Sequence, residues 1–507
     1  MRIALLPLDS RPPSWQFPQR IAAIAHNEVV SPPREMLGTL HNGAYSRELL
    51  DWLKSAAGDA NAAVISWDAL VYGGLVQSRA EGNPLPIAEL RDALSTIDWS
   101  RCAGYLWLTV PRLGMTVSSW EQWELHKRIA EYFTLWGKLA ESPDDDQSSR
   151  KLHKLELQIG AETLAKAWSL RQRNHDYAQE ALRISADLGL RTCHVASEDN
   201  ARSGPHIGEV AALQKLSLEL TVETKRNSPN ATLPRYTFFD GADECGSLLT
   251  ARAILDDRNA GPLPVRLTLF PSVPTPDKYF GLYESHSLED GLHFLAKFLG
   301  LEFRAKGKAQ WLVCFGKQPQ PDVFAENLVK VFSNALLLPP VIEGNEPLFL
   351  ADLQACNGGN LHLVRKVAEI AGDRLRCVSA WNTNFNALGF SAAALAMGTL
   401  DDADSEALKQ LLLERVADDY VYQSVVRGVI LDKCDEYDDC GIDPLDFTTG
   451  AINPDRLPDV TLDQLLKLLS KDVFGHLAWG FGSALKRLGF TADQVMALKF
   501  SFPWDRA

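Results

Sequence analysis

Arg2-Ile-Ala-Leu-Leu-Pro-Leu-Asp-Ser-Arg11 is a short apolar run that ends abruptly in charge, and the same pattern recurs along the chain. Ala62-Ala-Val-Ile-Ser-Trp67 opens onto Asp68, Gly73, Gly74 and Arg79, and Thr192-Cys-His-Val-Ala196 onto Glu198-Asp199-Asn200. Tyr236-Thr-Phe-Phe239 opens onto Asp240 and Asp243-Glu244, and Cys377-Val-Ser-Ala380 onto Trp381-Asn382. A helix-like stretch follows each run. In an α/β protein the carboxyl ends of parallel strands face one way, so polar residues placed there converge on one pocket.

Working outward, apolar runs predict strands at 2–8, 28–31, 62–67, 104–110, 191–197, 235–240, 264–270, 310–315, 347–352 and 376–381. Helical periodicity fills the intervals, as in Leu288, Leu292, Leu295 and Leu299. The fold class is therefore α/β, either an open parallel sheet or a TIM-barrel-like domain. Residues 118–186, with Trp120, Trp123 and Trp136 and then long helical periodicity, read as a helical insertion placed to cover an active site. The expected layout is an α/β domain over 1–305, a second α/β unit over 306–400 and a mainly helical region over 401–507. Pro- and Asn-bearing stretches at 226–234, 256–264 and 317–322 read as connections.

A net charge of −14 without a basic cluster argues against nucleic acid, since phosphate binding needs a basic surface. No apolar stretch approaches the roughly 20 residues of a membrane span. Pro7 and Asp9 interrupt the first run too early for a secretory leader. The eight cysteines are scattered, as buried reduced thiols are, and the expected location is the cytoplasm. Cys434 and Cys440 are too few for a zinc site by themselves.

Three constellations can carry chemistry. Ser197-Glu198-Asp199-Asn200 places two carboxylates together, where mutual repulsion can keep one protonated; the alternative is a helix cap. Asp240-Gly-Ala-Asp243-Glu244 places a second pair, an arrangement some hexosaminidases use, with the Asp orienting the substrate acetamido group and the Glu acting as acid. Capping by Asp243 is its bland counterpart. The third is basic and amide-rich: Asp9 with Arg11, Arg79, Arg112, and Arg171-Gln-Arg173-Asn174-His175. Arginine forks bind carboxylates, phosphates or sugar hydroxyls, and a solvated helix face is the alternative for Arg173 and His175. Asn357-Gly-Gly-Asn360, Trp381 and Asn382 add amides and an indole for stacking on a sugar. The chain has no phosphate-binding glycine loop, no HExxH, HxH or CxxC motif and no GxSxG elbow, which leaves carboxylates as the catalytic candidates.

Several of these segments together resemble the bacterial family known as domain of unknown function 4127. They are Leu6-Pro-Leu-Asp-Ser-Arg-Pro12, Trp67-Asp68 with Tyr72-Gly-Gly-Leu-Val76 and Ser78-Arg79, and Arg173-Asn-His175. Glu198-Asp199 with Gly204 and Glu209, Gly241-Ala-Asp-Glu244, Ala351-Asp352 with Asn357-Gly-Gly359, and Trp381-Asn-Thr383 with Asn386 and Leu388-Gly389 continue the likeness. Asp419, Tyr422-Gln423, Arg427 and Phe502-Pro-Trp504 extend it to the carboxyl end. Where the family tends to carry two aspartates, this chain has Glu198-Asp199. The resemblance implies a protein of carbohydrate-handling bacteria and carries no assigned reaction.

These readings lead to an expected carbohydrate-active hydrolase, glycoside hydrolase-like, acting on a small-molecule or oligosaccharide substrate that includes N-acetylhexosaminides. Glu198, Asp199, Asp243 and Glu244 are the expected catalytic carboxylates. Asp9, Arg11, Asp68, Arg79, Arg112, Arg173, His175, Asn200, Asn357, Trp381 and Asn382 are the expected binding residues. The scheme calls for no cofactor and no metal. Two rivals stand beside it: a non-catalytic binder of a small polar or anionic metabolite, and a metal-dependent hydrolase using Asp9, Asp68, Asp199 and Asp243 as oxygen ligands.

Overall fold

The structure, a computed structural model, describes residues 1–38, 42–115, 120–227, 234–271, 275–316 and 342–426. These form two compact units. The first comprises the described residues of 1–19, 27–253 and 283–286, and the second those of 20–26, 254–282 and 287–426.

The first unit is built on a six-stranded sheet, every pair parallel: β1 (Arg2–Leu6), β2 (Glu28–Val30), β3 (Ala62–Ser66), β4 (Ala103–Val110), β5 (Thr192–Ser197) and β6 (Arg235–Asp240), in the order β2-β1-β3-β4-β5-β6. All five residues of β3 are buried. A central parallel strand is covered on both faces, which is why it reads as a continuous apolar run rather than an alternation. Helix α1 (Ser46–Gly58) supplies part of that cover, stepping Leu49, Leu53 and Ala57 into the core at intervals of four.

Helix α2 (Trp67–Tyr72) starts where β3 stops, because Ser66 Oγ accepts the Ala69 amide at 3.3 Å. It ends at Gly73, whose φ of 86° suits glycine and where a Cβ would collide with the Ala44 backbone. The insertion consists of α3 (Trp120–Glu141), α4 (Asp146–Ile159) and α5 (Ala161–Asp187). Its apolar stripe makes a core of its own from Ile129, Tyr132, Phe133, Leu155, Ile159 and Leu164, closed over Leu113 beyond β4. Helix α6 (Pro205–Asn227) follows β5, and α7 (Cys245–Asp257) follows β6.

The second unit carries a five-stranded parallel sheet of β7 (Leu263–Phe270), β8 (Leu301–Phe303), β9 (Ala309–Phe315), β10 (Leu348–Leu353) and β11 (Leu375–Ser379), ordered β11-β10-β9-β7-β8. Helices α8 (Leu361–Ala371) and α9 (Asn384–Gly398) flank it.

All ten expected strands are present to within two residues; β8 is the addition, three residues long and too short to show a period. The barrel alternative does not form among the described residues. After β6 the chain starts a second sheet instead of extending the first, so both sheets are open. For the same reason β7 and β8, placed by sequence on the first side of a boundary at 305, pair within the second sheet. The connection at 317–322, the Cys434–Cys440 pair, Arg427 and Phe502–Trp504 lie outside the described residues. Among the described residues no helix is long and apolar enough to cross a membrane.

Candidate functional site

Arg11 stands just beyond β1 and Asp243 just beyond β6, with three strands between them in the sheet. Nevertheless Arg11 Nη2 and Nη1 reach Asp243 Oδ1 and Oδ2 at 2.6 and 3.2 Å, while Arg11 Nε meets Asp9 Oδ2 at 2.8 Å. Four strand spacings in a flat sheet measure about 19 Å. The loops at the carboxyl ends therefore reach across the sheet edge, and that reach closes a polar ring. Burial opposes the Arg11 charge, but the carboxylates of Asp243 and Asp9 outweigh it and raise the group. Asp243 shows the reverse balance: burial lifts its carboxyl despite Arg11.

Around the ring, Arg79 Nη1 lies 3.3 Å from Glu198 Oε1 and Arg112 Nη1 lies 3.7 Å from Asp199 Oδ2. Glu198 Oε2 and both amide atoms of Asn200 are buried without a hydrogen-bond partner. Asp199 has a φ of 37°, a left-handed value that a β-carbon makes costly. Its carboxyl is pushed up to about 6 by burial and then by Glu198, against the pull of Arg112 and Arg79. Glu244 is buried, and its carboxylate occupies the space a Cβ on Gly241 would need; Gly241 has a φ of 103°.

Asp68 takes a different part. Thr109 donates its amide and hydroxyl to the two Asp68 oxygens, both at 2.9 Å, tying α2 to β4. Burial raises this carboxyl to about 7 against those two bonds, with a further push from Glu198. It acts as a buried brace whose charge state the site senses. At the end of β6, Asp240 is similarly committed, accepting the amides of Ser285 and His286 at 2.7 and 2.9 Å.

The residues of α5 correct the reading of the basic stretch. Arg173 donates to the carbonyls of Ala80 and Ser78 at 3.0 and 2.5 Å, and Asn174 to Ser78 at 2.8 Å. Arg171 grips Glu209 through two bonds of 2.9 and 2.5 Å and gives Nη1 to the carbonyls of Pro111 and Arg112, both at 3.0 Å. These side chains anchor the two loops that carry Arg79 and Arg112. His175 is half-buried and joins none of these bonds. The signal for Arg171 and Asn174 was periodicity: they continue the buried stripe Leu164, Ala178, Ala181 and Ser185, while Arg173 and His175 fall beside it. Thr109, inside a strand, carried no such signal.

The cap alternative fails for the first pair, and the second pair has a further partner. Helix α6 begins at Pro205, so Glu198 and Asp199 lie in an irregular loop rather than in its first turn, and the Asp243 carboxylate is given to Arg11. Asp9 and Asp243 share Arg11 and Asp68 is filled by Thr109, which occupies three of the four aspartates named as metal ligands. Among the described residues no three His, Cys, Asp or Glu side chains are grouped as metal ligands are.

Asn357, Trp381 and Asn382 belong to the second unit. There they surround another buried polar group at the ends of β10 and β11. Asp352 accepts the Asn360 and Gln354 amides at 2.7 and 3.2 Å; Asp419 accepts the Ala380 amide and Arg415 Nη1, both at 2.9 Å. The Asn357 amide donates to the Asn382 carbonyl at 2.9 Å, each residue having a left-handed φ. Asp419 sits in a π-helical run, Val416–Val426, and such windings are rare outside functional or constrained positions. Burial lifts both Asp352 and Asp419 to about 7.

A folded pKa of about 7 for Asp352 lies above the unfolded value, so its contribution favours folding at low pH and is lost as pH rises from about 4 to 7. We expect the melting temperature of Asp352→Asn, relative to the parent, to improve between pH 5 and pH 8, by no more than about 4 kcal/mol in stability. A difference that stays constant over that range would show that Asp352 is ionised throughout.

Two open parallel α/β units, the first with charged loops drawn together at its strand ends, define an α/β protein with a polar, carboxylate-rich candidate site. The family described as protein of unknown function (DUF4127) matches residues 3–507, and the chain belongs to that family. No curated protein and no solved structure matches it.

Proposed function

We propose that the first unit is a carbohydrate-active hydrolase, glycoside hydrolase-like, whose acid is Asp199 and whose second carboxylate is Glu198. The observation that carries this reading is the Asp199 carboxyl: about one-third exposed, raised to about 6, and next to a carboxylate with one oxygen unpaired. A general acid is most effective when its pKa lies near the working pH.

In the proposed step Asp199 gives its proton to the glycosidic oxygen while Glu198 takes one from the attacking water. The glycosidic C–O bond breaks as the water oxygen bonds to the anomeric carbon, so one proton is given and one is taken; Arg112 lies beside Asp199 and Arg79 beside Glu198. Asn200 supplies amide donors and acceptors for sugar hydroxyls. Arg11 and Asp243 hold the far side of the ring, and Glu244 flanks it. A panel of chromogenic glycosides that includes N-acetylhexosaminides tests the reading; no turnover of any of them by the folded protein would end it.

Glu244 provides an internal comparison. If it were the acid, as in the hexosaminidase-like arrangement, Glu244→Gln would lower turnover roughly 10²–10⁴-fold, less so for activated leaving groups. With Asp199 as acid, Glu244→Gln is expected to change turnover by less than about tenfold, measured on the same substrates.

A further inference from the structure

Four arginines stand at or beside the candidate site, and they are not equally satisfied. Arg11 and Arg171 each form a two-bond fork with a carboxylate, at distances down to 2.6 and 2.5 Å. Arg79 and Arg112 each make one long ion pair, at 3.3 and 3.7 Å, and one bond to a carbonyl, Arg79 Nε to Leu75 at 3.4 Å and Arg112 Nη2 to Met115 at 3.1 Å. Arg79 Nη1 and Arg112 Nε are buried and donate no hydrogen bond within the protein, although the Arg79 side chain is only 7% exposed. A buried charged donor left unused is costly, so two such donors on adjacent arginines mark a place built for an acceptor.

Both arginines line a cleft formed by the loop after β4, the α5 anchor residues and α3. Among the described residues its charged lining consists of Arg79, Arg112 and Arg171, and the last is paired with Glu209. The remaining wall is largely apolar, including Leu113, Met115, Ile129, Phe133, Ala167 and Leu170. His126 adds no charge there: burial, and then Arg112, hold it down to about 4. Arg79 is itself drawn down to about 10 by burial and then by Arg112, against the pull of Glu198 and Asp199.

We propose that this cleft is a subsite for an organic anion, a carboxylate borne on an apolar or ring-shaped body, with Arg79 and Arg112 clamping the carboxylate and the apolar wall covering the body. The proposal deepens the hydrolase reading, on which it rests only for what is cleaved next to the subsite: the substrate would be an acidic sugar or a glycoside of an apolar acid. Binding itself requires no turnover.

The test is calorimetric titration of the full chain with phenylacetate and with 2-phenylethanol, which share the ring and differ in the carboxylate, and with inorganic phosphate as a third probe. Phenylacetate should bind at least about tenfold more tightly than the alcohol, as one charge-assisted hydrogen bond requires. Arg112→Met should abolish that preference, and Arg112→Lys, which keeps the charge but not the fork, should retain part of it. Equal affinity for acid and alcohol, or no binding of either, would overturn the anion clamp; phosphate binding as tightly as phenylacetate would overturn the role of the apolar wall. The wild-type comparison stands even if a variant does not fold. Selective phenylacetate binding in a protein that hydrolyses no glycoside would keep the subsite and remove only the hydrolase reading.

Discussion

Asp199→Asn should lower turnover of glycosides with poor leaving groups by roughly 10²–10⁴-fold, because the amide keeps the size of the carboxyl and cannot give up a proton in its place. The effect should shrink for nitrophenyl-type leaving groups, which depart without full protonation. The pH profile supplies a second readout. The acid form of Asp199 is populated below its value of about 6, so kcat/KM should fall as pH rises through that value, and the fall should vanish in the variant. An unchanged profile would assign the proton to another group, and Glu244→Gln would then become the decisive variant.

Arg171→Met should destabilise the protein by roughly 3–5 kcal/mol, since it leaves half-buried Glu209 without its partner and removes a buried donor held by two carbonyls. The double variant Arg171→Met with Glu209→Leu should recover a large part of that loss, because no charge is then stranded. Denaturant titration measures both. A cost below about 1 kcal/mol for the single variant would mean that solvent screens the pair, as it does an exposed ion pair.

The fold was legible wherever burial on two faces imposed a continuous apolar run. Ile3 to Leu6 and Ala62 to Ile65 could be read as strands because each run is short and is bounded by polar residues or proline. What could not be read was which sheet a strand joins. β7 looks like its predecessors, and only pairing with β9 and β8 assigns it. The polar strand ends were also visible, and eight of the residues picked from them (Asp9, Arg11, Asp68, Arg79, Arg112, Glu198, Asp199 and Asp243) are joined by ion pairs or by their mutual fields.

Their division of labour was not visible. Asp68 and Asp199 are both aspartates after an apolar run, yet Thr109 consumes one and leaves the other open. That difference comes from a neighbour on another strand, which linear spacing cannot supply. The second unit illustrates the same limit: Trp381 and Asn382 match the motif pattern of the first unit's strand ends and lie in the second unit, near Asp352 and Asp419.

The clasp between Arg11 and Asp243 also dictates an order of events at birth. The two residues are separated by 232 positions, and at ribosomal speeds of about 5–20 residues per second the arginine emerges on the order of 10–50 s before its partner. Strand β1 need not wait, since β2 and β3 are synthesised within the first 66 residues. A nascent chain can thus pair β1 with β2 and β3 while the rim is still unfinished, and the Arg11–Asp243 side of the ring closes only when β6 and its loop have been made.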